Sequence, residues 1–146
     1  MTPANRSNHS QSAGFTLLEL LIVVAVFSII MSMSVAGYRQ YITRANRVDA
    51  TALLLRVAAA QERYYLDQNT YTADLAELGF PDGLSERGYY KLAVAPALGG
   101  LVIGYTATAT VVDDESQSDD EKCQDLTINE SGLRSSAPED AEVCWG

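Results

Sequence analysis

The sequence predicts an α+β protein, with one long amino-terminal helix packed on a small antiparallel sheet of about four strands. Three observations predict it. From Phe15 to Tyr38 the only charge is Glu19, and that apolar run is long enough to cross a bilayer as a helix. No Pro interrupts residues 15–67, and after Tyr38 the residues Tyr41, Ala45, Val48, Ala52, Leu55 and Ala59 recur at spacings of four and three. From Tyr89 onward, short β-branched and aromatic stretches alternate with clusters of Gly, Pro, Asn and Asp.

With 146 residues, one soluble domain remains once the apolar segment is set aside. The net charge is −9, and it is uneven. Residues 39–63 hold Arg39, Arg44, Arg47, Arg56 and Arg63 against Asp49 and Glu62. Residues 113–146 hold eleven acids against Lys122 and Arg134. Phosphate contacts need Lys and Arg, so this acidic half argues against non-specific nucleic-acid binding there.

Met1–Gly14 is polar, carries Arg6 and no acid, and reads as a targeting leader. One helix is expected from Phe15 to Leu66, about 80 Å at 1.5 Å per residue. Its first part, residues 15–37, is apolar all round and suits lipid or a helical bundle. Gly37 is its weak point, at about 1 kcal/mol relative to Ala. From residue 38 the helix is amphipathic and needs a layer over its stripe, which opens a globular unit of residues 38–146. Asp67-Gln68-Asn69-Thr70 breaks the helix. Thr72 is placed to cap a short helix Ala73–Leu78, with Gly79 beyond it. Pro81-Asp82-Gly83 is a turn. Strands are expected at Tyr89–Ala95 and Leu101–Val112, joined by a loop Pro96–Gly100. Asp113–Lys122 is an acidic loop. Leu126–Ile128 and Leu133–Ser135 form a second hairpin about Asn129–Gly132.

Glu19 is the residue that demands a function. A carboxylate inside a spanning segment costs roughly 2.5–3.5 kcal/mol at the membrane centre, so it needs a named partner. The stretch Gly14-Phe15-Thr16-Leu17-Leu18-Glu19-Leu20-Leu21-Ile22-Val23-Val24-Ala25-Val26 resembles the class III signal of type IV prepilins and pseudopilins. In that family a membrane peptidase cuts after the glycine and methylates the new terminus. The resemblance places the cut between Gly14 and Phe15, with methylation at Phe15, and makes Glu19 the assembly residue. In staggered parallel helices, Glu19 of one subunit would neutralise the Phe15 amine of the next. The leader departs from the family pattern, with Ala13 where a basic residue usually stands. Gln61-Glu62-Arg63-Tyr64-Tyr65, Tyr71-Thr72 and Cys123…Leu126-Thr127…Gly132…Cys144-Trp145 resemble minor pilins of the PilE type.

The resemblance implies a minor pilus subunit, active in twitching or adhesion. Its implied partners are other pilin subunits, the prepilin peptidase and the inner membrane. The implied location is the inner membrane with a periplasmic head, then the surface pilus. Two alternatives stay open: a competence pilin that binds DNA during uptake, and a type II secretion pseudopilin. For the amino terminus the alternatives are a secretory signal cut after Ala36 and an uncleaved anchor. Arg39, Arg44 and Arg47 after the segment would, by the positive-inside rule alone, place that flank in the cytoplasm.

In an exported domain, pairing of Cys123 with Cys144 is the default. Closing 21 positions contributes about 3 kcal/mol in the chain-entropy treatment. The resulting C-terminal disulfide loop is either a staple for the fold or a surface for partners. Asp113-Asp114-Glu115 and Asp119-Asp120-Glu121 lack the glycine and spacing of a calcium loop and read as solvated, so no metal or other cofactor is expected. The single His, His9, lies in the leader, which leaves no nucleophile–base pair, and no enzyme is expected. Tyr64, Tyr65, Tyr71, Tyr89, Tyr90 and Tyr105 read mainly as packing at the helix–sheet junction, with stacking on DNA bases as the alternative.

Overall fold

The structure, a computed structural model, describes residues 15–113 and 115–146, without the side chains of residues 33–36. The expected leader with Gly14, and Asp114 of the acidic loop, lie outside the described residues. Two compact units divide the chain, the first ending at Tyr38 and the second running Arg39–Gly146.

Helix α1 spans Leu17–Gln68. In the first unit its side chains are exposed, from Leu17 at 82% through Val24 at 55% to Ile30 at 61%. It contains a stretch long and apolar enough to cross a membrane, none of it buried. Alkane side chains on every face leave no water-facing side, so a second apolar phase must cover them.

In the second unit α1 packs on a four-stranded antiparallel sheet of order β1-β2-β3-β4. The strands are β1 Tyr90–Pro96, β2 Tyr105–Val111, β3 Cys123–Asn129 and β4 Arg134–Pro138. Pairing runs Tyr90↔Val111 to Pro96↔Tyr105, then Thr106↔Asn129 to Thr110↔Asp125. Alternation is strict on β2, where Tyr105, Ala107, Ala109 and Val111 face inward and the threonines between them face out. Small Ala107 and Ala109, both 0% exposed, sit among the helix residues Ala50, Leu53, Leu54 and Val57, and their size lets α1 approach the central strand closely. A helix α2, Ala141–Cys144, ends the fold against β3 and β4.

Four expectations are corrected. The buried face of α1 is Asn46, Ala50, Leu53, Val57 and Gln61, with Arg47, Asp49 and Leu54 beside it. The expected stripe faces away, with Tyr41 at 70%, Val48 at 64% and Leu55 at 46% exposure. Residues 46 and 48 differ by about 200° around a helix, so the two faces are opposed. The sheet takes the face whose polar members find partners and leaves the other free. Second, Thr72 Oγ1 accepts from the Asp74 amide at 3.0 Å, yet residues 73–78 form only a turn, closed by Phe80 N donating to Leu75 O at 2.7 Å. Third, Leu101–Ile103 belong to the loop before β2, because Tyr71 N takes the Leu101 carbonyl at 3.0 Å. Fourth, β3 begins at Cys123, ahead of the expected Leu126.

The sheet edges are both occupied. Beside β1, Leu84 bridges Lys91, and Leu92 N donates to Gly83 O at 2.7 Å. Beside β4, the Trp145 indole Nε1 donates to Ser135 O at 2.9 Å.

Candidate functional site

The sequence-derived site residues occupy separate parts of the chain. Phe15 is 85% exposed at the start of the helical segment. Thr16 precedes the first helical residue, and its Oγ1 accepts from the Glu19 amide at 3.2 Å, which satisfies one of the unpaired N–H groups of a helix start. The spacing Thr16-x-x-Glu19 is that of a capping box. Glu19 is exposed and is the only ionisable side chain in the first turn.

The free face of α1 within the second unit continues this apolar character. Tyr41 and Val48, with Leu55 further along, make an exposed stripe, and Arg44 lies exposed beside its start. Residues 39–42 and 44–45 are all exposed, so this part of α1 forms a neck not covered by the sheet.

Cys123 and Cys144 are bonded. The bond fixes α2 and Trp145 against the sheet, and Arg134 lies over the Trp145 ring at 4.9 Å. The same region is held from the helix side by a group that sequence reading missed. Arg47 Nε donates to Asp120 Oδ2 at 2.7 Å and Nη2 donates to Oδ1 at 2.9 Å. Arg47 Nη1 donates to the Val143 carbonyl at 3.1 Å. Gln117 Nε2 donates to Asp120 Oδ2 and to the Thr43 carbonyl, both at 3.1 Å. The side chains of the ion pair are 9% and 3% exposed. One guanidinium therefore ties α1, the acidic loop and α2 together, using the fork geometry only Arg offers. Asp120, counted above among solvated loop acids, is committed to this pair.

The tyrosines pack as expected. Tyr65 stacks on Tyr71 at 4.8 Å, and Tyr71 tilts against Tyr105 at 4.9 Å. Burial, with the Glu62 charge adding to it, pushes the Tyr105 phenol up to about 12. Burial also raises Tyr90, helped by the Asp120 charge. Gln61, 0% exposed, clasps Thr72, with Nε2 donating to its carbonyl at 2.6 Å and Oε1 accepting from its amide at 3.1 Å. Among the described residues, no group of three or more His, Cys, Asp or Glu is placed to hold a metal ion.

Residues 9–35 match the prokaryotic N-terminal methylation motif, and residues 36–127 match a family described as type IV minor pilin ComP, DNA uptake sequence receptor. The chain belongs to the type IV pilin family. This pilin is 30% identical to the fimbrial protein EcpC of Eikenella corrodens over 68% of its own length and 65% of the relative's. It is 31% identical to the type IV major pilin protein PilE of Neisseria gonorrhoeae over 71% of its length and 61% of the relative's. Against the type IV wide pilus major component PilA4 of Thermus thermophilus the identity is 40%, over 44% and 50% of the two chains. The chain thus spans about half to two thirds of the length of these relatives. A type IV pilin structure from Shewanella oneidensis superposes with a TM-score of 0.50 at 26% identity, covering 71% of this chain and 98% of the other. The comparisons and the geometry agree on a pilin with a long helix on a four-stranded sheet and a C-terminal disulfide.

Proposed function

We propose that this pilin is a minor subunit of a type IV pilus, cut between Gly14 and Phe15 by a membrane prepilin peptidase and N-methylated at Phe15. The observation that carries this reading is the exposed apolar helix from Leu17 to Ile30 with Glu19 as its single charge. Held in the inner membrane, that helix is covered by lipid; in a filament, other helices cover it. Glu19 pairs with the Phe15 amine of a neighbouring subunit, and the low dielectric that penalises either charge alone favours the pair, less its desolvation. The exposed stripe Tyr41–Leu55 offers other subunits a second apolar surface. The head then faces outward and serves motility or adhesion. Mass spectrometry of the mature chain is expected to find methylated Phe15 at the amino terminus. Glu19→Gln and Glu19→Ala are expected to lower the amount of chain in sheared pili while membrane levels persist. Unchanged incorporation of both variants would remove the proposed role of Glu19.

A second reading, capture of DNA during uptake, is supported by the ComP-type match over residues 36–127. Arg39, Arg44 and Arg63 are exposed and available for phosphates. Each phosphate neutralised steepens the salt dependence by about 0.9 in log–log slope. Gel retardation across a salt series tests it, and retention that ignores salt, or none at all, rejects it.

A further inference from the structure

The disulfide and Arg47 join the same two pieces of chain, one covalently and the other through hydrogen bonds. Cys123 and Cys144 are buried, at 0% and 2% exposure. Upstream of Cys123, the Asp120 carboxylate takes two bonds from the Arg47 fork. The Asp120 backbone carbonyl accepts from the Cys123 amide at 3.3 Å and from Gln124 Nε2 at 2.7 Å. Beside Cys144, the Val143 carbonyl accepts from Arg47 Nη1 at 3.1 Å. The guanidinium therefore bridges residues 120 and 143 alongside the bond between residues 123 and 144. Lys122 completes the frame, its carbonyl accepting from the Glu139 amide at 3.1 Å. The same oxygen lies 3.7 Å from Cys144 Sγ, so a thiol left there by reduction has an acceptor in place.

Two ties in parallel have a property that neither has alone. A cross-link acts by denying the chain the freedom it would gain on opening. While a buried, charge-assisted fork still joins the segments, breaking the sulfur–sulfur bond opens little, and the converse holds. We propose that Arg47 is the positioning residue for the disulfide: it docks α2 against the acidic loop in the dithiol chain, sets the Cys123 and Cys144 thiols face to face before oxidation, and keeps the segment seated if the bond is reduced. In the covalent step the two thiols give up two protons and two electrons as the S–S bond forms, and a disulfide reagent takes them and becomes two thiols. Coupling of this kind is reciprocal, so the clamp favours the bond by the factor by which the bond favours the clamp. The carboxyl-terminal segment is released only when both ties are gone.

The test uses the full chain in detergent micelles, without denaturant. With iodoacetamide, Cys144 of the reduced unsubstituted chain is expected to alkylate about ten-fold or more slowly than Cys144 of reduced Arg47→Ala, read by peptide mass. Against a buffer of oxidised and reduced dithiothreitol, the equilibrium constant for forming the bond is expected to be about ten-fold or more lower in Arg47→Ala. Arg47→Lys keeps the charge without the fork and is expected to fall between the two. Asp120→Asn keeps the shape of the pair and removes its charge; it is expected to move both readouts the same way by about three-fold or more, and it carries the test if reduced Arg47→Ala loses its fold. Gln61→Ala removes a clasp elsewhere on α1 and is expected to leave both readouts within about two-fold of the unsubstituted chain. Equal alkylation of Cys144 with and without the Arg47 and Asp120 partners, an exchange equilibrium that neither variant moves, or Gln61→Ala shifting both readouts as far as Arg47→Ala would overturn the proposal.

Discussion

Replacing Arg47 by Ala removes a side chain that joins α1 to both the acidic loop and α2. Three hydrogen bonds go, at 2.7, 2.9 and 3.1 Å. Bonds to charged groups contribute about 1.5–3 kcal/mol each, which sets a ceiling near 5–9 kcal/mol. Asp120 retains Gln117 Nε2 at 3.1 Å, and water enters the space left behind, so the net cost falls to the range of a broken buried pair, about 3–5 kcal/mol. With a urea slope near 2 kcal/mol per molar, the unfolding midpoint of the head drops by about 2 M. The single tryptophan, Trp145, next to α2, reports the transition for the full chain in detergent micelles. Replacing both partners, Arg47→Met with Asp120→Leu, is expected to cost less than either loss alone, because no charge is left buried. The shift persists in high salt, since a pair at 9% and 3% exposure is screened little. A midpoint change below 0.5 M for Arg47→Ala, or a double variant as unstable as the sum of the singles, would refute this account.

Other consequences follow from the same geometry. Gln61→Ala strands the Thr72 amide and carbonyl and is expected to cost about 2–4 kcal/mol by urea unfolding. Gly83 has φ +61 with Leu75 Cδ1 3.1 Å from where a Cβ would stand, so Gly83→Ala should cost about 1–2 kcal/mol and be read by the same assay. Tyr105 holds its proton to about 12 in the fold, whereas an unfolded tyrosine loses it near 10. The unfolded chain therefore releases protons first as pH rises, and stability, complete below pH 10, declines as pH climbs toward 12. Phenolate absorbance during an alkaline titration should show Tyr105 and Tyr90 ionising after the exposed tyrosines.

The amino-terminal helix was legible because its signal is one of composition: an apolar run with one acid needs no tertiary context. The strands were legible from turn residues and β-branched runs, to within a few positions. The packed face of α1 was not. Both its faces carry Ala, Leu and Val at helical spacing, and a count of apolar residues favours the face that stays free. The face that packs includes Asn46, Arg47, Asp49 and Gln61, polar residues that lie off the apolar stripe. Their partners, Arg87, Asp120 and Thr72, lie between 11 and 73 positions away, beyond any local pattern. The failed helix at residues 73–78 has a local cause, since Thr72 caps a turn that Gly79, at φ +87, ends at once. The pairing of Cys123 with Cys144 was readable, but not that their bond and Arg47 secure the same segment from opposite sides.

The indole of Trp145, resting on the Ser135 carbonyl with Arg134 across its ring, has a consequence for crowding. A bare strand border invites a second chain to knit onto it as continuous β-structure. A side chain that occupies the outward carbonyl denies that invitation. At that point the sheet is kept from growing past its fourth strand.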